Sequence, residues 1–317
     1  MHLHIISPIN PDQFISSNLA SNRLRLHFLY NAALQLGFRV TGGLNIPDFA
    51  NIYYVGKITK EIEEKNILDI IDKLNKKKTT ILVDYTDDWL DASHGRNKEI
   101  YQKLMRTDST VIVPIKGLQE KLNKRGKKTI VIPDGIDTIP NFDPRNHNNQ
   151  VKNVLWHGHS SNIFSLIRII STELVDYKFN LHLVSNSNAF EIIKKTNFKK
   201  TPKCNITGHI WSLDKLQTIS TKCDFAILPA NKKWASANRL ITTFRLGLPV
   251  IVETISSYRE YSNYYSNFKK NQIIEMFSSP ETWHKSVKLA QQKILKEFAP
   301  KRLFDLWKAC LKNNNNH

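Results

Sequence analysis

Cationic side chains gather around a helix start in the stretch DFAILPANKKWASANRLITTFRLGLPVIVE, Asp224 to Glu253. Lys232, Lys233 and Arg239 surround Ser236 and Asn238, either of which can cap the helix that follows. Unpaired N–H groups at a helix start attract anions, and neighbouring cations strengthen that attraction. A phosphate-bearing ligand fits best; the plain alternative is a solvated basic loop. A second polar run, His157-Gly158-His159-Ser160-Ser161-Asn162, follows an apolar one. A glycine there lets backbone approach a phosphate, with Ser160, Ser161 and Asn162 as hydrogen-bond donors. His157 and His159 could also hold a metal, but no further ligands stand at a recognisable spacing, so no metal is expected. A third group is acidic: Asp84-Tyr85-Thr86-Asp87-Asp88-Trp89. Asp87 and Asp88 are candidates for catalysis or ligand contact, or simply for a helix N-cap.

Each group follows a short apolar run, so the elements that must position them are strands. In the first half these are His2 to Ile6, Phe38 to Val40, Ile52 to Val55, Thr80 to Val83, Ser109 to Val113 and Thr129 to Ile132. Helical spacing separates them. Ser21-Asn22 begins one helix with Leu24, Phe28, Ala32 and Leu36 on a single face; residues 60 to 77 and Leu118 to Arg125 supply others. Gly135 is read as giving a tight turn its unusual backbone angle. The second half repeats the pattern. Its strands are Val154 to Trp156, Asn180 to Val184, Cys204 to His209, Phe225 to Leu228 and Val250 to Val252. Helices cover Ile163 to Leu174, Glu191 to Asn197, Leu213 to Thr221 and a segment from Leu240 to Phe244 that Gly247 closes. Strand and helix alternating predict α/β domains with parallel sheets, and ligands then bind beyond the carboxyl ends of the strands. Residues 281 to 312 read as two helices broken at Pro300, with Asn313 to Asn316 as a disordered tail.

The order "Asp, apolar strand, Pro, loop, Asn-Arg-Leu, helix, Gly-Leu-Pro-Val-Ile" resembles the donor-site segment of GT-B glycosyltransferases, the GT4-like group in particular. Ile132-Pro133-Asp134-Gly135-Ile136-Asp137, followed by Phe142-Asp143-Pro144, is similar to the interdomain region of the same enzymes. The paired glutamates of that group fall here at Trp234 and Thr242, and its Gly-Arg is Gly158-His159. The resemblance implies two Rossmann-like domains facing a central cleft. They comprise residues 1–140 for the acceptor and 151–280 for a nucleotide-sugar, with 141–150 as linker and 281–317 as helices crossing back. It implies a glycosyltransferase that moves a sugar from a nucleotide-diphosphate donor to a glycan, lipid-linked or other glycoconjugate acceptor. The nucleotide-sugar is a co-substrate, and no other cofactor is expected. Donor contacts then fall to Gly158, His159, Ser160, Lys232, Ser236, Asn238 and Arg239, and to Ser256, Ser257, Tyr258 and Glu260. Trp211 stands where a nucleotide base can pack, or is a plain surface residue. Ser185-Asn186-Ser187 is another strand end where base or ribose can be read. Ser16, Ser17, Asn18 and Arg23 approach the acceptor. Arg239 and Lys232 stabilise the leaving diphosphate, and Asp87 or Asp88 serves as base if the reaction inverts.

The 317 residues carry a formal net charge of +18, which attracts nucleic acid, anionic lipid or acidic polymer, or reflects compositional bias. No helix-turn-helix, RNP or zinc-finger pattern supports nucleic acid. An anionic membrane surface and compositional bias weigh equally; if the acceptor is carried on lipid, Lys73 to Lys78 and Lys121 to Lys128 are the contacts. Three cysteines without metal spacing, no basic leader and no long apolar run fit a cytoplasmic protein, peripheral at the inner membrane face. Two alternatives stay open: a GT-B sugar-nucleotide epimerase, and a non-catalytic binder of anionic polymer or lipid.

Overall fold

The computed structural model describes residues 1–17, 19–58, 67–77, 79–91, 96–138, 150–196, 203–230 and 236–314. The chain divides into two compact units. One is built from Met1–Asp137, Trp234–Ser236 and Glu297–His317, the other from Thr138–Lys233 and Ala237–Lys296.

The first unit holds six parallel strands, β1 (His2–Ile6), β2 (Arg39–Gly42), β3 (Ile52–Val55), β4 (Thr80–Asp84), β5 (Ser109–Val113) and β6 (Thr129–Val131), in the order β2-β1-β3-β4-β5-β6. Side chains alternate between the faces of a strand, and both faces of a parallel sheet are covered. Ile6, Tyr53, Val55, Ile81, Val83, Val111 and Val113 form one core with the helices Ile67–Asn75, Arg96–Leu104 and Lys116–Asn123. Leu3, Ile5, Ile52, Tyr54, Leu82 and Ile112 form the other, against the helices His27–Gln35 and Pro300–Asn313. Pro300 takes the first turn of the last helix, where its missing N–H costs nothing. Much of the 60–77 helix reading lies outside the described residues.

Three expectations change here. Helical structure begins at Ala20, and Asn22–Leu26 is a π-helical turn. Asn22 is not a cap; its side-chain amide donates to the Ser17 hydroxyl at 2.9 Å. Gly135 is absent from the positive-φ glycines, so the turn does not need its angle. It is needed for proximity: its N–H donates to the Leu24 carbonyl at 2.7 Å, and an added Cβ would lie 2.2 Å from Phe28. The asparagine tail is ordered at its start, because Asn313 closes the helix and Asn314 is buried. Asn314 accepts hydrogen bonds from Thr80 at its carbonyl (2.8 Å) and from Thr110 at its side chain (3.0 Å). Residues 315–317 lie outside the described set.

The second unit also has six parallel strands: β7 (Lys152–His157), β8 (Phe179–Ser185), β9 (Cys204–Ile210), β10 (Phe225–Leu228), β11 (Val250–Val252) and β12 (Ser266–Asn267). Their order is β12-β11-β10-β7-β8-β9. Val154, Trp156, Leu181, Leu183, Phe225, Ile227 and Ile251 pack on Ile163, Leu166 and Ile170 from the helix Ile163–Thr172. Ile273 and Met276 cover the same core from the helix Lys270–Ser278. That helix and the two-residue β12 carry too weak a periodic signal to be read from sequence. Gly247 ends the helix Asn238–Arg245 with φ 77°, as its position predicts. The N-cap is Ala237, without a side-chain cap bond, so neither Ser236 nor Asn238 holds the capping position.

Candidate functional site

In the second unit the chain steps from β7 to β8 on one side, while β10 flanks β7 on the other. Loops leaving β7 and β10 therefore diverge at their carboxyl ends, and such switch points are where open α/β sheets bind ligands. Arg239, second residue of the helix Asn238–Arg245, lies there. Its Nε donates to the His157 carbonyl at 2.9 Å, and its guanidinium stands 5.2 Å from the Trp156 ring. Gly158 permits this approach, because an added Cβ would sit 3.3 Å from both Arg239 and Trp156. Its Nη2 is buried and has no hydrogen-bond partner among the described residues.

The energetics single out this arginine. Burial lowers the Arg239 pKa, and nearby Tyr258 opposes the shift. Burial raises the Tyr258 pKa in turn, with Arg239 opposing. No carboxylate forms an ion pair with Arg239 among the described residues. A buried guanidinium in that condition is costly, and an anion brought to Nη2 would recover much of the cost.

The other expected donor contacts sort into three groups. Ser160 is buried and committed: its N–H donates to the Asn186 side-chain oxygen (2.9 Å), and its hydroxyl accepts from the Asn186 amide (3.1 Å). The Ser185 hydroxyl donates to the Gly158 carbonyl at 2.6 Å. Ser185 and Asn186 thus brace the β7 loop from β8, and their polar groups are used in holding it. His159 is exposed and accepts from the Ser161 N–H at 3.2 Å. The backbone N–H of half-buried Trp211 donates to the Ser185 carbonyl at 2.8 Å.

Ser256, Ser257, Tyr258 and Glu260 share one 3-10 helix, Ser256–Tyr261, after β11. Ser257 and Tyr258 are buried, whereas Glu260 is exposed and its carbonyl accepts from Lys293 at 2.8 Å. Ser236 and Asn238 are half-buried beside Arg239 in sequence. Lys232, Lys233 and Trp234 lie outside the described residues, and Thr242 stands within the helix. Sequence reasoning missed Glu253, which accepts from the Ala230 N–H at 2.8 Å and pairs with Arg168. It thereby ties the start of the β10 loop to β11. No local signal marks it, since its partners are distant in sequence.

Asp87 and Asp88 belong to the first unit, beyond the end of β4. Asp87 pairs with Lys57 at 2.9 Å, and Asp88 pairs with Lys121 and accepts from the Tyr85 hydroxyl at 2.9 Å. Lys121 also reaches Asp91, so it is not the free surface charge that its place in a lysine run suggests. Beneath them, Asp84 and Asp134 enclose a buried arginine. The Nε of Arg25 donates to both Asp84 oxygens at 2.9 Å, and its Nη1 donates to Asp134 at 2.8 Å and to the Ile132 carbonyl at 2.9 Å. Arg23, on the same π turn, pairs with Asp137 at 2.8 Å and donates to the Ser17 carbonyl, which commits it to structure rather than to open surface. Asn18 lies outside the described residues. No group of three His, Cys, Asp or Glu capable of holding a metal occurs among the described residues.

No protein-family profile and no curated protein matches this chain. Solved structures do. Sucrose-phosphate synthase from Thermosynechococcus elongatus superposes with a TM-score of 0.68 at 11% identity, over 99% of this chain and 98% of that one. HepE from Anabaena, in complex with UDP and glucose, gives 0.65 at 11% identity, over 99% and 100%. TarM gives 0.62 at 11% identity over 84% of this chain, which spans only 55% of TarM. Two units with parallel six-stranded sheets, and these likenesses across the chain, show that it has the fold of the GT-B glycosyltransferases.

Proposed function

We propose that this chain is a glycosyltransferase that takes a sugar from a nucleotide-diphosphate donor and passes it to a glycan, lipid-linked or other glycoconjugate acceptor. The observation that carries the reading is Arg239, whose buried Nη2 has no hydrogen-bond partner among the described residues, at the switch point of the second sheet. Positive charge there would stabilise the diphosphate as it leaves, where charge develops in the transition state. The start of the helix Asn238–Arg245 lies beside it, where the aligned peptide dipoles favour the same anion. HepE, of the same fold, was solved with UDP and glucose, which supports a nucleotide-sugar here. The chemistry calls for no resident cofactor. Asp87 and Asp88 are the proposed carboxylates for the acceptor hydroxyl, and each must exchange its lysine for substrate before taking a proton.

Titration of UDP, GDP and ADP, alone and sugar-linked, tests the reading by calorimetry. Arg239→Ala should weaken the tightest of them by about 1–3 kcal/mol, the range for a charge-assisted hydrogen bond. Equal affinity in wild type and variant would move the site elsewhere.

A lipid-linked acceptor would place the enzyme at the inner face of the membrane, in the cytoplasm. No helix among the described residues is long and apolar enough to cross a membrane, so attachment would be electrostatic. Lys73, Lys76, Lys124, Arg125 and Lys128 are exposed and are the proposed contacts, Arg125 while also paired with Asp91. Changing these five to Gln should abolish sedimentation with anionic vesicles, to which each contributes about 1 kcal/mol. Equal binding to neutral vesicles would leave the charge as composition alone.

A further inference from the structure

We propose that His157 and Thr243 together position the Arg239 guanidinium for the donor phosphates; this rests on the glycosyltransferase reading. His157 is the last residue of β7, 5% exposed, in a strand whose buried neighbours Val154, Leu155 and Trp156 are apolar. Burying an imidazole there is costly unless its nitrogens are used. Nε2 lies 3.0 Å from the Thr243 hydroxyl, which is fully buried on the helix Asn238–Arg245.

The direction of these bonds follows from the acceptor at their end. The Thr243 hydroxyl donates its one hydrogen to the Arg239 carbonyl at 2.8 Å, and a carbonyl can only accept. Thr243 oxygen therefore receives from His157, which fixes the neutral Nε2–H tautomer. Burial, and Arg239 close by, push the His157 pKa down to about 3, so the ring stays neutral through the physiological range. The return contact runs from Arg239 Nε to the His157 carbonyl at 2.9 Å.

The two residues therefore hold each other twice. His157 reaches the backbone of Arg239 through Thr243, and Arg239 reaches the backbone of His157 with its side chain. With Nε fixed and the helix turn pinned, Nη2 remains the donor without a partner among the described residues. A neutral imidazole suits this place, because a cation there would repel the Arg239 guanidinium. An apolar residue would fill the space but leave the Thr243 oxygen without its donor.

Calorimetry with UDP, GDP and ADP, and with the matching nucleosides, tests the proposal on the full chain. His157→Leu and Thr243→Val should each weaken the tightest diphosphate about 5-fold, the worth of one neutral hydrogen bond, and leave its nucleoside unchanged. His157→Gln keeps a donor near the Nε2 position, and Thr243→Ser keeps the hydroxyl; both should restore affinity. Adding His157→Leu to Arg239→Ala should cause no further loss, since both act through one contact. Thermal unfolding shows whether each variant is folded. Parallel losses for diphosphate and nucleoside, or no rescue by Gln and Ser, would overturn the proposal and leave a purely structural histidine. Weakening by Arg239→Ala but not by His157→Leu or Thr243→Val would overturn it while sparing the donor-site reading. Wild-type affinity in Arg239→Ala, or no binding of any diphosphate, would overturn both.

Discussion

Replacing Arg25 by Ala is expected to destabilise the first unit by about 3–5 kcal/mol, the usual cost of removing one partner from a buried ion pair. Arg25 and Asp84 are each 1% exposed, and Asp134 is 4% exposed. Burial alone would lower the Arg25 pKa, but Asp84 and Asp134 outweigh it and raise it. Removing the cation would leave two carboxylates facing each other without water. Trp307 would also lose the guanidinium that stands 5.7 Å from its ring. Hydrogen exchange at the amides of β4 and β6 reads the loss within that unit, without assuming that the whole chain unfolds in one step. Changing Asp84 and Asp134 to Asn should shrink the effect of the arginine substitution, because the stranded charges are then gone. A loss below ~1 kcal/mol in the single variant would show that water reaches the triad, and that these residues are a surface pair in energetic terms.

The second unit should lose about 3 kcal/mol of stability between pH 8 and pH 4 through His157 alone. In the unfolded chain its imidazole takes a proton near pH 6.5; in the fold, burial and Arg239 hold the pKa down to about 3. Between those values the unfolded state binds the additional proton, so stability rises with pH. The contribution is fully present above about 6.5 and is lost progressively as pH falls toward 3. His4 acts in the same sense in the first unit, where burial lowers its pKa to about 4. Denaturant unfolding across this range measures the slope. His157→Gln should flatten it for the second unit, and an unchanged slope in that variant would assign the acid loss to other groups.

Arg25, buried, and Arg239, half-buried with a buried Nη2, show why one arginine is structural and the other is a candidate for chemistry. Both pack near a tryptophan and both contact backbone carbonyls. The Nη2 of Arg25 also lacks a well-aligned hydrogen bond, but it lies 2.7 Å from Asp84, and two carboxylates neutralise the charge. Arg239 has no carboxylate partner among the described residues, and its pKa falls with burial. Asp84 is spent on Arg25 deep in the same unit, whereas Asp87 and Asp88 are held by Lys57 and Lys121 at less buried positions.

The residues by themselves determined the succession of strands and helices, because short apolar runs, helical spacing and Gly or Pro stops are all local signals. Phe225 to Leu228, Pro229, the helix through Phe244 and the Gly247 stop are found in the fold as their spacing predicts. The concentration of charge around Arg239 was equally legible, since a helix start announces itself within a few residues. Tertiary structure alone decided what those charges meet. Arg25 finds Asp84 and Asp134, His157 finds Thr243, and Glu253 finds Ala230 and Arg168, each across a separation that strand order sets. Gly135 was visible as a glycine, but Phe28, far away in sequence, is the reason it must be one. Asn314 looked like tail and is buried because Thr80 and Thr110 hold it. Propensity and periodicity act over a turn or a strand, whereas ion pairing, close approach and burial depend on which strands become neighbours. In a parallel sheet that order is fixed by long crossovers and by the shared core, so no window of sequence contains it.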